Sequence, residues 1–113
     1  MKALPTKLQP DPKQFGLRPG ILEKLNSLFI SHPEIDTVVL YGSRAKGTYH
    51  PGSDIDITIK SEHCNDSLVG KLAEEIDDLL LPYSFDISLW SQIDNPDLLA
   101  HIERVGIVIY QKL

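Results

Sequence analysis

The sequence predicts an α+β fold in which a small mixed β-sheet carries helices packed on one face. Three observations lead to it. Helical and extended stretches alternate along the chain in the order αβ(loop)βαβαβ. Two extended stretches, 54–60 and 84–90, put apolar residues at every second position and polar residues between them, the pattern of a sheet buried on one side. The length, 113 residues, suffices for one hydrophobic core and falls short of two ordinary domains.

Each element follows from local pattern. Residues 1–18 read as an extended N-terminal arm with Pro5, Pro10 and Pro12 and little periodicity; such a stretch either hugs the domain surface or stays mobile. Residues 19–113 make a single domain. From Pro19, the residues Ile21, Leu22, Leu25, Leu28 and Phe29 form one stripe of a helix that stops at His32-Pro33. Thr37–Tyr41 is a short apolar, β-branched strand broken sharply by Gly42-Ser43, and residues 42–53 are mostly loop. In 54–60, Ile55, Ile57 and Ile59 point one way and Asp54, Asp56, Thr58 and Lys60 the other. Leu68, Leu72, Ile76 and Leu80 recur every four residues, a helix closed by Pro82. In 84–90, Phe85, Ile87 and Leu89 alternate with Ser84, Asp86 and Ser88. Asn95-Pro96-Asp97 is a helix start, Gly106 ends that helix, and Ile107–Tyr110 is the last strand.

Composition narrows the function. Eleven Lys+Arg against sixteen Asp+Glu give a net charge of −5, which leaves no electrostatic footprint for generic nucleic-acid binding. Small anionic ligands stay possible, because backbone amides and metal ions hold them locally. A lone cysteine, Cys64, allows neither an internal disulfide nor a thiolate zinc site. No apolar run approaches the ~18 residues of a membrane span, and the N-terminus lacks the apolar stretch of a signal peptide. The expectation is a cytoplasmic protein in a reducing setting.

The polar face carries the chemistry. Asp54 and Asp56 lie two apart on one strand, so both project from one face with α-carbons ~6.5–7 Å apart. Asp86 has the polar parity of the next readable strand, and neighbouring strands would bring three carboxylates to one patch. Like charges that close persist only with partial protonation or a bound hard cation. All-oxygen ligands favour Mg²⁺ or Mn²⁺ over zinc. Asp-x-Asp alone is commonly a solvated strand face. Upstream, Gly42 at a strand exit lets the backbone approach a ligand closely. A short helix opening at Ser43 would aim its positive end at an anion; equally, Ser43 could be an ordinary N-cap. Arg44 and Lys46 either neutralise phosphate or lie on a solvated face. Thr48 and Ser53 either cap the loop or touch phosphate. Lys60 could screen the aspartates, Tyr49 could stack on a nucleobase, and Trp90 is read as core. His32, His50, His63 and His101 lack ligand spacing and are read as surface or capping residues.

Taken together, Gly42-Ser43, ten residues, then Asp54-Ile55-Asp56 strongly resemble the signature of the DNA polymerase β-type nucleotidyltransferase superfamily. Asp86, thirty residues after Asp56, falls where that superfamily has its third carboxylate. The stretch VVLYGSRAKGTYHPGSDIDITIK is similar to the minimal nucleotidyltransferases of prokaryotes. The resemblance implies a polymerase β-like fold and makes 19–113 the catalytic domain. It implies that Gly42 and Ser43 hold the β- and γ-phosphates of a nucleoside triphosphate; Arg44, Lys46 and Ser53 stay further candidates for contact with it. Asp54, Asp56 and Asp86 would ligate two Mg²⁺ ions, Asp86 also helping to deprotonate an acceptor hydroxyl. The activity implied is transfer of a nucleoside monophosphate, AMP from ATP, to a hydroxyl.

Larger members of the superfamily carry a second, helical domain that these 113 residues cannot supply. Minimal members are commonly paired with a separate helical protein of the HEPN class, in toxin–antitoxin systems where AMP is added to that partner. The implied assembly is therefore a hetero-oligomer. The alternative is a binding subunit that neutralises or scaffolds its helical partner, its carboxylates a remnant.

Overall fold

The computed structural model describes residues 12–62 and 66–112. The readings of Cys64, of His63 and of the arm before Pro12 lie outside the described residues. Eight elements follow in order: α1 (Ile21–Ile30), β1 (Thr37–Tyr41), α2 (Gly42–Lys46), β2 (Ile55–Lys60), α3 (Asp66–Asp78), β3 (Phe85–Leu89), α4 (Pro96–Val105) and β4 (Ile107–Gln111). Short 3₁₀ turns cover Pro12–Phe15 and Trp90–Gln92. Among the described residues no helix is long and apolar enough to cross a membrane.

The sheet is mixed, in the order β3-β2-β1-β4. β1 runs antiparallel to both β2 and β4, while β3 runs parallel to β2, the crossover being α3. The main core lies on one face, as the alternation predicts. Val38 and Leu40 of β1 and Ile55, Ile57 and Ile59 of β2 meet Leu25 and Phe29 of α1 and Leu72 of α3, all buried. Each such side chain contributes roughly 1.5–3 kcal/mol by leaving water.

Helices on a single face describe α1 and α3; α4 is the exception. Val39 and Tyr41 point to the opposite face and bury against Ile102 of α4, with Trp90, Ile93, Leu98 and Val105 around them. The reason is legible in β1 itself. Thr37–Tyr41 is apolar on both parities, as a central strand covered on both faces must be. The Asn95 side chain accepts from the Asp97 and Leu98 amides at 2.9 and 3.3 Å, with Pro96 in the first turn, so α4 starts where its cap dictates.

Four local readings shift. The helix read as closing at Pro82 ends at Asp78, and Leu80 lies beyond it, exposed rather than on its apolar stripe. The helix after Pro19 begins at Ile21 behind Gly20, whose φ is 86°. Residues 13–17 lie along the surface but are anchored in it: Phe15 and Leu17 enter the main core, while Lys13, Gln14 and Gly16 stay exposed. His32 is buried, its Nε2 2.7 Å from Glu75 Oε1 of α3, and so is not a surface residue.

Candidate active site

The site begins where β1 ends. Gly42 has φ 75°, in the left-handed region that glycine occupies without strain. A second constraint coincides with the first: a Cβ at residue 42 would collide with Oδ2 of Asp56. Gly42 is fixed both by its own backbone and by the carboxylate beside it. α2 opens at this glycine without a side-chain cap.

Register brings two of the carboxylates together. Tyr41 pairs with Asp56, and Asp56 with Asp86. Directly opposed residues share a face and neighbouring strands stand about 4.8 Å apart, so Asp56 and Asp86 project side by side. Asp54 is exposed immediately before β2 and flanks the pair. The adjoining row on this face is Val39, Thr58 and Ser88. Thr58 is fully buried and its hydroxyl donates to the Ser88 carbonyl at 3.4 Å.

The electrostatics of the row are uncompensated. Burial raises the Asp56 carboxyl above its usual range, and the charges of Asp86 and Asp54 push it further up. Burial likewise raises the Tyr41 phenol; the neighbouring Ser88 hydroxyl opposes this, and the charges of Asp86 and Asp56 add to it. The lysine on this face is engaged elsewhere, with Lys60 Nζ 4.3 Å from the centre of the Trp90 ring. A half-buried carboxylate flanked by two exposed ones, its charge unneutralised, suits a hard divalent cation. Among the described residues no three His, Cys, Asp or Glu side chains close around one point. The donor set is a pair in register with a flanking third, and it fits such an ion in chemistry.

The other predicted residues are distributed differently. Ser43 is half-buried in the first turn of α2, and its carbonyl accepts from the amides of Gly47 and Thr48. Lys46 is exposed on the last turn of α2. The Ser53 hydroxyl accepts from the His50 amide at 2.9 Å, closing the 50–53 turn. Arg44 is on neither a solvated face nor a phosphate-facing one. It is 1% exposed, and its guanidinium donates to the carbonyls of Phe15 at 2.6 Å, Ser53 at 3.0 Å, Pro51 at 3.3 Å and Gly16 at 3.4 Å. The rings of Tyr49 and Tyr83 lie 5.4 and 5.2 Å from it. Tyr49 is thereby packed against Arg44 and Gly16 rather than open for a base. Arg44 faces inward because its guanidinium finds four carbonyls there, from residues 15–16 and 51–53. Sequence reading missed Tyr41 as a member of the carboxylate row; its place directly before Gly42 was the available signal.

Transfer of a nucleotidyl group calls for carboxylates fixed on a rigid sheet beside a backbone turn able to approach phosphates. β1, β2 and β3 meet both needs, and in class the protein is a nucleotidyltransferase. The family model described as polymerase beta, nucleotidyltransferase matches residues 23–113, and the chain belongs to that family. No curated protein matches the chain. Among solved structures, a toxin–antitoxin with AMP-PNP is similar with TM-score 0.67 and 21% identity, over 81% of this chain and 74% of that one. The toxin–antitoxin MntA-HepT is similar with TM-score 0.60 and 17% identity, over 80% and 70%. A tri-AMPylated Shewanella oneidensis HEPN toxin in complex with MNT antitoxin gives TM-score 0.56 and 15% identity, over 81% and 74%. At these identities the likeness is one of fold.

Proposed function

We propose that this protein transfers AMP from ATP to a hydroxyl on a separate helical partner of the HEPN kind, working as one subunit of a hetero-oligomer. The observation that carries the reading is Asp56 set in register with Asp86 and packed against Gly42. The similar solved structures, one with AMP-PNP and one with an AMPylated HEPN toxin, favour AMP and that partner.

In this reading Gly42 and Ser43 hold the β- and γ-phosphates, with Lys46 and Ser53 nearby. Asp54, Asp56 and Asp86 hold two Mg²⁺ ions, or Mn²⁺, which when bound neutralise the triphosphate and polarise its phosphorus. Arg44 acts from behind, tying the turn after Gly42 to the Ser53 carbonyl next to Asp54. The acceptor hydroxyl oxygen forms a bond to the α-phosphorus, and the bond from that phosphorus to the α–β bridging oxygen breaks. Pyrophosphate leaves, and the hydroxyl proton passes to the Asp86 carboxylate.

The test is label transfer in extract of the source organism with Mg²⁺ and either α- or γ-labelled ATP. Label from the α position alone, lost in Asp54→Asn, supports the reading, and the labelled species names the acceptor. Label from γ alone means phosphoryl transfer and overturns it. No label from either position favours a binding subunit whose carboxylates are a remnant.

A further inference from the structure

The two edges of the sheet are finished differently. At β4 the pairing with β1 shifts register between Val38 and Val39, and the Asn26 side chain of α1 donates to the Ile109 carbonyl at 3.0 Å; bulges and covering groups blunt an edge. β3 has regular pairing on its inner side, and among the described residues no strand pairs on its outer side. The Ile55 amide donates to the Ser84 carbonyl at 2.8 Å. Alternation then turns the main-chain groups of Ser84, Asp86 and Ser88 toward β2 and those of Phe85 and Ile87 outward. Alongside runs a groove of about 500 Å³ between β3 and the C-terminal half of α3, with Ala73, Ile76, Leu80, Leu81, Phe85 and Ile87 among its walls. At its margin Leu80 keeps a left-handed backbone, φ 53°, and is 88% exposed.

We propose that this edge is the acceptor dock: an extended segment of a partner polypeptide adds to β3 as a fifth strand, a hydroxyl-bearing residue opposite Asp86 and apolar neighbours in the groove. The proposal rests on the nucleotidyl-transfer reading. Its content comes from register. A residue opposite Asp86 shares its face and extends the row Tyr41, Asp56, Asp86 by one strand spacing, about 4.8 Å. The residues before and after it point to the other face, where the groove lies. One alternating segment therefore meets the carboxylates and the groove together. From the far end of the row approach is closed, because α4 covers Tyr41.

Charge selects the occupant. Asp77 lines the groove, Asp86 stands on the strand, and none of the described residues lining the groove is basic. The segment accordingly carries Lys or Arg beside its apolar and hydroxyl residues. A second copy of this chain is disfavoured, since pairing β3 with itself brings Asp86 toward its own counterpart.

The test uses two labelled synthetic peptides, Lys-Val-Tyr-Val-Lys and its scrambled form Val-Val-Tyr-Lys-Lys, with serine versions of both. Binding is read by fluorescence anisotropy with the full chain, and label transfer is read separately with α-labelled ATP and Mg²⁺. Ala73→Arg fills the groove from an exposed helix position, and Leu80→Asp charges its margin; neither residue belongs to the catalytic machinery. The expected result is that the alternating peptide binds better than the scrambled one, and that each variant weakens it about tenfold or more. The ATP-dependent thermal shift should stay unchanged. Equal binding of both peptides, no binding of either, or binding by both variants within about twofold of wild type would overturn the dock. Groove-dependent binding without transfer sinks the transfer reading and leaves the dock. Transfer indifferent to Ala73→Arg sinks the dock and leaves the transfer reading.

Discussion

Two regions either side of Gly42–Ser43 both remove charge from water, and they do so in opposite ways. Arg44 is deeply buried, yet among the described residues its guanidinium meets only favourable partners: four carbonyl oxygens and two tyrosine rings. Asp56 is half-buried, and each cause acting on its carboxyl disfavours the charge: burial, then Asp86, then Asp54. The Arg44 region is a closed structure that needs nothing more. The Asp56 region is left in want of positive charge. Stored electrostatic cost without internal compensation marks a binding site, whereas the same burial with full compensation marks a clasp.

Asp86→Asn should lower label transfer by about 10³-fold or more, roughly 4 kcal/mol of transition-state stabilisation. Because Asp86 is exposed, the unfolding free energy of the variant in urea should change by no more than about 0.5 kcal/mol. A loss of activity under tenfold in single-turnover assays would make the carboxylate dispensable.

Arg44→Met should show the reverse order of effects. It leaves the Phe15, Ser53 and Pro51 carbonyls without their donor, and removes the cation between two rings. The expected destabilisation is about 3–5 kcal/mol in urea unfolding. A change below about 1 kcal/mol would mean that water replaces the guanidinium freely and that the clasp holds nothing together.

This contrast also separates what the sequence disclosed from what it concealed. The carboxylate face was legible, because strand alternation has a period of two and puts Asp56, Thr58 and Lys60 on one side. Asp86 was assignable by the same parity, and the register with Asp56 realises it. The Arg44 clasp was hidden, since its partners are main-chain carbonyls at 15, 16, 51 and 53, and any residue supplies a carbonyl. The position of α4 was half-hidden. Its apolar stripe announced burial, but only the two-sided apolarity of Val38–Tyr41 told which face needed it.

Gly42→Ala joins the two regions and should have an intermediate effect. The substitution combines a left-handed backbone at 75° with a Cβ in the place of the Asp56 carboxylate. We expect a loss of about 2–3 kcal/mol in thermal or urea unfolding. Gly47→Ala offers the control, since its φ of 82° is similar but nothing lies within 4 Å of the added Cβ. Equal losses at the two positions would assign the whole effect to backbone strain and none to Asp56.

The smallest expected effect reads the uncompensated charge itself. The Asp56 carboxyl is raised in the folded protein, so the folded state holds its proton more tightly than the unfolded one. Between the ordinary carboxylate value near 3.9 and the raised one, the folded chain binds more protons and stability falls as pH rises. The full penalty is present above the folded value. It vanishes below the unfolded value, where both states are protonated. Asp56→Asn removes it, and the variant should be more stable than wild type at neutral pH by about 1 kcal/mol or less, since the group is still partly solvated. Melting temperatures of both proteins across the acid-to-neutral range, with and without Mg²⁺, check the sign. Mg²⁺ should raise the wild type and leave the variant nearly unmoved. The Arg44 side should be flat throughout, because a guanidinium does not titrate in that range. Should wild type prove the more stable at neutral pH without Mg²⁺, the carboxylate would have an internal partner, and the Asp56 region would be a second clasp rather than a site.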